Sequence, residues 1–337
     1  EGTVVTFAKV PARTGYVNQG WSSKKNSEKA TAKAKCTVNK NITLYAVQKK
    51  AVQLTFHRCD GSTWQKTTLA KGSSYSLPGV RDAEGYTFMG WSTKPMQSVS
   101  PQYEAEEKIT VNGNVDLYAV VFNRTTETDL TEDQLPQVDI YKYKQVIFVG
   151  DSRTEFMENV LTGMGESATK NVKFVCSAGK GLDWFTTTGW AQLYSIVQHD
   201  SNSILSKKTA VIFNFGVNDL SKSADYAEYY NWIAPQLKSK GCELYFMSVN
   251  PVNRLMLPNA GRSDRSEAAV RSFNQYMKAN LSSAYTYIDM YSYLKSTGYS
   301  FASDHYGTGT VDDGLHYTTR TYKRIFAKCM DSLRVPA

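Results

Sequence analysis

The pattern of apolar and polar positions changes character near the middle of the chain. Residues 1–122 carry short stretches in which β-branched and aromatic residues alternate with polar ones, which is typical of half-buried β-strands. From residue 144 onward, short runs that are apolar throughout alternate with longer segments of helical periodicity. Strands that are apolar on both faces and alternate with helices predict a mostly parallel sheet covered on both sides.

Five apolar runs are the strand candidates of the second part: 144–149, 172–176, 209–216, 242–249 and 285–290. Helical patterns begin near Thr154 and cover about 190–203, 226–240, 265–279 and 319–333. These elements predict an α/β domain over residues 144–337, with three αβα layers and a five-stranded, mostly parallel sheet. A domain of this length can bury a substantial core.

An internal repeat organises the first part. A Gly-Tyr and Gly-Trp-Ser motif occurs at Gly15–Lys24 and again at Gly85–Lys94, and the stretch Thr37–Val47 recurs as Thr110–Val120. In each copy Asn-Lys-Asn or Asn-Gly-Asn supplies a turn between β-forming residues. The repeat therefore predicts small β-rich modules ahead of the α/β domain.

These motifs resemble the internalin-type B repeat, or Listeria-Bacteroides repeat, of bacterial surface proteins. The resemblance covers residues 1–50, a copy truncated at its start, and residues 51–122, a complete copy. It implies a secreted or cell-surface protein of a bacterium, in which the repeats are spacers or weak binders in contact with the cell wall or another extracellular polymer. Trp21 and Trp91 are either platforms that stack on sugars or core anchors of the small sheets.

Residues 123–143 are predicted to be a linker. The stretch Asn123–Val138 is rich in Thr, Glu and Asp, has no apolar periodicity and contains Pro136. Such a composition predicts a connection without a core of its own.

Charge separates the same two parts. The chain has 39 Lys and Arg against 31 Asp and Glu, and residues 1–122 hold 16 of the first group against 9 of the second. A basic part of this kind either contacts an anionic polymer, lipid or nucleic acid, or presents a solvated surface. No basic cluster accompanies a nucleic-acid motif, so no nucleic-acid partner is expected.

No membrane span, metal or cofactor is expected. No run approaches the roughly 20 apolar residues of a membrane helix, and the residues after Glu1 lack the layout of a signal peptide. The five cysteines are scattered without the spacing of a zinc site. Cys176 and Cys242 lie in or beside apolar runs and are predicted to be buried free thiols.

Polar and glycine residues follow the predicted strands, at the edge where parallel sheets bind ligands. The first strand leads into Gly150–Ser152, where a turn exposes the serine hydroxyl near the start of a helix. The second leads to Gly179 and Gly181, which let a backbone N–H approach a ligand closely. The third leads to Asn218, whose amide is a neutral donor suited to a developing oxyanion.

A serine hydroxyl needs a base, and the base needs an orienting group. Only His316 has a carboxylate three residues earlier, Asp313. In a turn or helical start this spacing puts both side chains on one face, so the free ring nitrogen can face Ser152. Asp312 is adjacent but less suitably spaced. The other three histidines are His57, His199 and His305.

Residues 144–337 resemble the SGNH/GDSL hydrolases. The resemblance is carried by four motifs in this order: Gly-Asp-Ser, a glycine, Gly-x-Asn-Asp and Asp-x-x-His. The resemblance implies a flavodoxin-like fold and a serine hydrolase that acts on esters through an acyl-serine intermediate. The chain lacks Gly-x-Ser-x-Gly, which argues against the α/β-hydrolase fold.

The resemblance also assigns site residues. It implies Ser152 as nucleophile, His316 as general base and then acid, and Asp313 as the residue that orients the ring. The implied oxyanion hole consists of three groups: the N–H groups of Ser152 and Gly179 and the side chain of Asn218. The glycine segment lacks the asparagine usual before it, so Gly181 stays an alternative to Gly179. Four flanking residues are candidates for substrate contact, with packing as the alternative for each: Arg153, Trp184, Asn253 and Tyr317.

A repeat module joined to such a hydrolase suggests an extracellular polymer as substrate. The expected reaction is removal of O-acetyl groups from a polysaccharide or peptidoglycan glycan, by analogy with the family. A lipid or lysophospholipid esterase and a sugar O-acyltransferase stay open. A non-catalytic glycan-binding or adhesion protein is the rival from another class, and the complete set of motifs argues against it.

Overall fold

The computed structural model describes residues 2–200, 207–260, 263–303 and 312–333. The chain divides into two compact units. Unit 1 comprises residues 1–77, 91–97 and 107–119, and unit 2 comprises residues 78–90, 98–106 and 120–337. The predicted second repeat is therefore shared between the two units.

The amino-terminal part is rich in strands, as predicted. Its strands are β1 (Thr3–Thr6), β2 (Tyr16–Ser22), β3 (Lys35–Val38), β4 (Tyr45–His57), β5 (Thr63–Ala70), β6 (Ser73–Ser76), β7 (Tyr86–Ser92), β8 (Lys108–Val111) and β9 (Val115–Asn123). One sheet has the order β2-β4-β9-β7, with β5 also paired to β4. The pairs β1–β3 and β6–β8 form two further small sheets.

The predicted turn at Asn112–Asn114 connects strands of different sheets. Strand β8 pairs with β6, whereas β9 runs parallel to β4, with Leu54 opposite Val115. The alternating pattern therefore identified the strands, but not their partners, because pairing depends on which apolar faces meet.

Trp91 is a core anchor of unit 1. Its side chain has no exposed surface, and its ring lies 4.8 Å from Phe56 and 5.8 Å from Trp64, centroid to centroid. Trp21 is half-buried, and its indole N–H donates to the carbonyl of Ala8 at 2.7 Å. Packing thus accounts for Trp91 without a sugar ligand.

Unit 2 alternates strands and helices. Its strands are β10 (Tyr143–Gly150), β11 (Val172–Cys176), β12 (Lys208–Asn214), β13 (Cys242–Met247), β14 (Tyr285–Ile288), β15 (Phe301–Ser303) and β16 (Asp312–Tyr317). Its helices are α1 (Ser152–Met164), α2 (Glu166–Thr169), α3 (Leu182–Trp184), α4 (Trp190–Asp200), α5 (Ser223–Ser239), α6 (Glu267–Asn280), α7 (Met290–Thr297) and α8 (Thr319–Ser332). None of the helices in the described ranges is long and apolar enough to cross a membrane.

The predicted parallel sheet is confirmed. Its order is β11-β10-β12-β13-β14, and every neighbouring pair is parallel. Alternate residues of β10 enter different cores: Ile147 and Val149 pack in one, Val146 and Phe148 in the other. Because both faces of the sheet are buried, its strands are apolar throughout.

The predicted linker packs against unit 2. Leu135 and Val138 are buried in its second core. The Glu127 side chain is 1% exposed and accepts hydrogen bonds from Thr321 at 2.5 Å and from the Arg324 guanidinium at 3.0 Å. A buried carboxylate is tolerated when it is paired in this way. The acidic composition of this segment therefore does not mean that the segment is exposed to solvent.

Candidate active site

The turn after β10 presents the Ser152 hydroxyl. A Cβ on Gly150 would lie 2.0 Å from Thr154 Oγ1, so only glycine fits beneath the first turn of α1. Asp151 is the N-cap of α1 and accepts the N–H of Arg153 at 3.0 Å. Because the aspartate caps the helix, the hydroxyl of Ser152 is left for another partner.

That partner is His316. Ser152 Oγ lies 2.9 Å from His316 Nε2, and His316 Nδ1 lies 2.5 Å from Asp313 Oδ2. All three side chains are buried. The three residues predicted from the sequence are thus brought together in the order carboxylate, imidazole, hydroxyl, which is the arrangement that activates a serine.

A tight turn in β16 sets the spacing of Asp313 and His316. The sequence predicts a turn or helical start here, whereas Asp312–Tyr317 is a strand in which Gly314 has a φ of +68°. Asp313 Oδ1 accepts the N–H groups of Leu315 and His316 at 2.8 and 2.7 Å. Burial by itself would raise the pKa of Asp313, but the hydrogen bond and charge of His316 and these two N–H groups lower it. Asp313 is therefore held as a carboxylate.

Phe156 supports the imidazole from α1. Its ring meets the His316 ring edge to face, with centroids 4.5 Å apart. Sequence analysis did not single out this residue, although it stands four residues after Ser152 and therefore on the same helix face. That spacing is the signal by which it could have been found.

Arg153 does not face a ligand site. Its side chain is buried, and the guanidinium donates to the carbonyls of Leu315, Asn250 and Pro251 at 3.0, 3.0 and 2.9 Å. All three acceptors are main-chain atoms, a geometry for which the planar guanidinium is suited. Of the two roles expected for Arg153, substrate contact or packing, the structure favours packing. The side chain joins α1 to β16 and to the loop after β13.

Gly179 and Gly181 are both positions that need glycine, but for different reasons. Gly179 has a φ of +70°. A Cβ on Gly181 would lie 2.4 Å from the carboxylate of Asp219, which also accepts the N–H of Leu182 at 2.9 Å. Within the described ranges, the N–H groups of Gly179 and Ser152 form no hydrogen bond to another protein atom.

The amide of Asn218 has a fixed orientation. Its Oδ1 accepts from the guanidinium of Arg265 at 2.8 Å, and its Nδ2 donates to the carbonyl of Lys180 at 2.8 Å. An arginine cannot accept and a carbonyl cannot donate, so the oxygen and nitrogen are distinguished and one N–H stays available. No pattern near Arg265 in the sequence indicates this contact.

A cleft of about 640 Å³ has His316 among its lining residues. One wall is a face of α1, and the other is formed by the end of β16 and the first turn of α8. The lining residues are Phe156, Asn159, Val160, Gly163, Met164, Ala302, His316, Tyr317, Thr318, Thr319, Tyr322 and Lys323. Aromatic, aliphatic and hydrogen-bonding side chains are thus mixed within it.

The remaining predicted substrate residues take mixed positions. Tyr317 lines the cleft, with its hydroxyl donating to the carbonyl of Pro251 at 2.5 Å. Trp184 is half-buried against the core. The Asn253 amide donates to Asp82 Oδ1 at 2.8 Å, so it is engaged inside unit 2. His305 lies outside the described residues.

Comparison with known families agrees with both parts of the chain. The Listeria-Bacteroides repeat domain matches residues 1–47 and 53–120, and the family of GDSL-like lipases and acylhydrolases matches residues 146–329. The second match covers more than half of the chain. The chain belongs to this GDSL family. It is accordingly an enzyme that hydrolyses esters.

Solved structures that are similar to the chain have low sequence identity and low TM-scores. A Slackia heliotrinireducens protein assigned to the SGNH hydrolases has a TM-score of 0.38 and 13% identity over 57% of this chain and 100% of its own. An acetyl xylan esterase gives 0.37 and 11%, over 56% and 99%. The catalytic domain of a Streptococcus pneumoniae peptidoglycan O-acetyltransferase gives 0.36 and 16%, over 57% and 94%. At these values nothing follows about substrate. No curated protein matches the chain.

For the GDSL enzyme, replacement of the serine should abolish turnover. Ser152→Ala should lower kcat on p-nitrophenyl acetate by roughly 10⁴-fold or more, and Asp313→Asn by roughly 10⁴-fold, because the nucleophile or the ring orientation is lost. Ser296→Ala, which alters a serine on α7, is the control and should keep full activity. Unchanged turnover by Ser152→Ala would contradict the assignment.

Arg153→Lys should destabilise the GDSL domain. A lysine cannot reach three carbonyls at once, so buried acceptors lose their donors and the free energy of unfolding should fall by roughly 2–4 kcal/mol. Denaturant unfolding measures the change. Arg320→Lys, at an exposed site on α8, is the matched control and should stay within about 0.5 kcal/mol of the parent. Equal stability of the two variants would refute this role of Arg153.

Proposed function

We propose that the protein removes acetyl groups from an O-acetylated carbohydrate through an acyl-serine intermediate. The observation that carries the proposal is the buried chain from Asp313 through His316 to Ser152, beside a cleft that His316 helps to line. The three side chains support an acyl-serine mechanism, and the cleft is where we place the alcohol part of the ester.

In the first half of the reaction, Ser152 Oγ attacks the ester carbonyl while His316 Nε2 takes the hydroxyl proton. The carbonyl oxygen becomes an oxyanion, and the imidazolium is stabilised by the Asp313 carboxylate. His316 then gives its proton to the alcohol oxygen as the carbon–oxygen bond breaks. The sugar hydroxyl leaves, and the acetyl group stays on Ser152.

The oxyanion needs N–H donors beside the serine. The N–H groups of Ser152 and Gly179 and the free N–H of Asn218 are the donors we assign, because they follow three adjacent strands, β10, β11 and β12. Gly181 is less suitable, since the carboxylate of Asp219 lies against it and like charges repel.

In the second half, a water molecule attacks the acetyl-serine. His316 takes one proton from the water, a second oxyanion forms and collapses, and the proton returns to Ser152 Oγ. Acetate leaves, and the enzyme is restored. Transfer to another sugar follows the same steps with a hydroxyl in place of water.

We assign the cleft to the alcohol part of the ester. The alcohol oxygen must lie near His316 Nε2 to receive its proton, so the alcohol occupies the His316 side of the serine. The half-buried aromatic ring of Phe156 there suits the apolar face of a sugar, and the exposed Asn159 and Thr319 supply hydrogen-bonding groups. This mixture favours a carbohydrate over a purely aliphatic alcohol.

Filling the cleft should separate large from small alcohols. Val160→Trp should lower kcat/KM on an acetylated oligosaccharide by roughly tenfold or more, because a bulky ring displaces the sugar. Turnover of methyl acetate should stay within about twofold, since its alcohol is too small to need the cleft. Thr162→Trp, on an exposed part of the same helix, is the control and should change neither rate.

A series of p-nitrophenyl esters from acetate to palmitate tests the acyl group. The acetate ester should give the highest kcat/KM, and rates that rise with chain length would support a lipid esterase instead. Acetate release that depends on an added sugar acceptor would support an acyltransferase. No labelling of Ser152 by a fluorophosphonate would support a non-catalytic adhesion protein.

We also propose that unit 1 binds an anionic polymer at the bacterial surface. It contains 15 Lys and Arg against 5 Asp and Glu, whereas unit 2 contains 24 against 26. Of those 15 side chains 14 are exposed, and none forms an ion pair with a described carboxylate. Lys50 and Lys71 lie opposite one another at the end of the paired stretch of β4 and β5. The backbone N–H of Lys71 donates to the carbonyl of Lys50. Exposed charges without partners attract a polyanion.

The protein should therefore be retained by immobilised dextran sulfate and released as salt screens the charges, at roughly 0.3–0.5 M. Neutral dextran should not retain it. Lys50→Gln/Lys71→Gln should elute at lower salt than the parent, while Lys170→Gln/Lys173→Gln, exposed in unit 2, should elute unchanged. Equal elution of both variants would contradict a role for unit 1.

A further inference from the structure

Asp82 is a buried carboxylate in residues 78–90, a stretch of the predicted second repeat that belongs to unit 2. Its side chain has no exposed surface. Oδ1 accepts the N–H of Phe88 at 2.9 Å and the amide of Asn253 at 2.8 Å, and Oδ2 accepts from Arg124 at 2.8 Å. The last two partners lead towards the same short segment of β16.

The first connection runs through Arg124. Its guanidinium Nη1 lies 2.6 Å from Asp312 Oδ2, and its Nε donates to Thr87 Oγ1 at 2.9 Å. A planar guanidinium that joins two carboxylates fixes the distance between them. Asp312, the residue before Asp313, is thereby tied to Asp82.

The second connection runs through Asn253. Its N–H donates to the carbonyl of Gly314 at 2.9 Å, and a Cβ on Gly314 would lie 2.5 Å from the carbonyl oxygen of Asn253. The backbone of residue 253 therefore packs directly on Gly314, where φ is +68°. Gly314 is the residue after Asp313.

We propose that Asp82 is a positioning residue for Asp313, acting through Arg124 and Asn253 on the residues before and after it. The proposal rests on the function proposed above, in which Asp313 orients His316. It makes part of the predicted repeat a component of the esterase instead of a spacer.

The charge of Asp82 gives this role a pH dependence. Burial raises the pKa of Asp82 to about 6, against the opposing effects of the Phe88 N–H, Arg124 and Asn253, while Asp312 adds to the rise. Arg124 and Asp312 are the charged groups that face it. Because the pKa in the folded state lies above its ordinary value of 3.8, the ionised form lowers stability at neutral pH, and protonation relieves this.

Asp82→Asn tests the role because it preserves shape and keeps an oxygen for Phe88 and Asn253. At about pH 8 its kcat on p-nitrophenyl acetate should be roughly tenfold to hundredfold below that of the parent, with KM little changed. Its Tm should stay equal or rise, since a buried charge is removed. The kcat of the parent divided by the kcat of Asp82→Asn should fall towards 1 as the pH drops from about 7 to about 5. Over this range Asp82 of the parent takes up a proton.

Two further variants separate positioning from general packing. Asp312→Asn removes the other end of the Arg124 bridge at a partly exposed site and should lower kcat in the same direction. Glu243→Gln removes a partly buried carboxylate that pairs with Lys208 near the start of β13, and kcat should not change. A parent-like kcat for Asp82→Asn at pH 8, or a kcat ratio that does not vary with pH, would overturn the proposal.

Fluorophosphonate labelling distinguishes failure of this proposal from failure of the proposed function. If Ser152 of the parent is not labelled, the esterase mechanism itself is wrong. If the parent is labelled and Asp82→Asn is labelled at the same rate, only the positioning role of Asp82 is wrong. Slower labelling of the variant with an unchanged Tm supports it.

Discussion

Burial of the parallel sheet on both faces is the constraint on which the rest of unit 2 depends. Side chains of β10 alternate between two cores, so neither face of the sheet offers a place for polar chemistry. Polar groups are instead gathered where the strands end. Because β11, β10 and β12 are neighbours and parallel, the residues that follow them lie at the same edge of the sheet although they are far apart in the chain: Gly179, Ser152 and Asn218.

Main-chain groups hold the candidate site in place. Asp313 accepts two backbone N–H groups, and Arg153 donates to three backbone carbonyls. Such contacts fix a side chain more firmly than a surface ion pair does, since neither partner is screened by water. The imidazole of His316 is thus confined between Asp313, Ser152 and the ring of Phe156.

Two buried carboxylates from outside the predicted hydrolase domain are paired inside unit 2. Asp82 lies in the repeat sequence and Glu127 in the predicted linker, yet each is paired with an arginine inside unit 2: Arg124 and Arg324. From sequence alone an acidic residue is predicted to be exposed to solvent, because the arginine that pairs with it is distant in the chain. The excess of positive charge, by contrast, belongs to unit 1 and is visible in the sequence.

The sequence by itself determined the five parallel strands, five of the helices (α1, α4, α5, α6 and α8) and the order of the motifs at the strand ends. Periodicity and short spacings are local, and burial of the apolar runs leaves little freedom in how they assemble. Tertiary structure alone decided the strand at Asp312–Tyr317, the contacts of Arg153 and the place of Asp82. Arg153 meets Leu315 across 162 positions of sequence, and no local pattern records which distant carbonyl a buried guanidinium will reach.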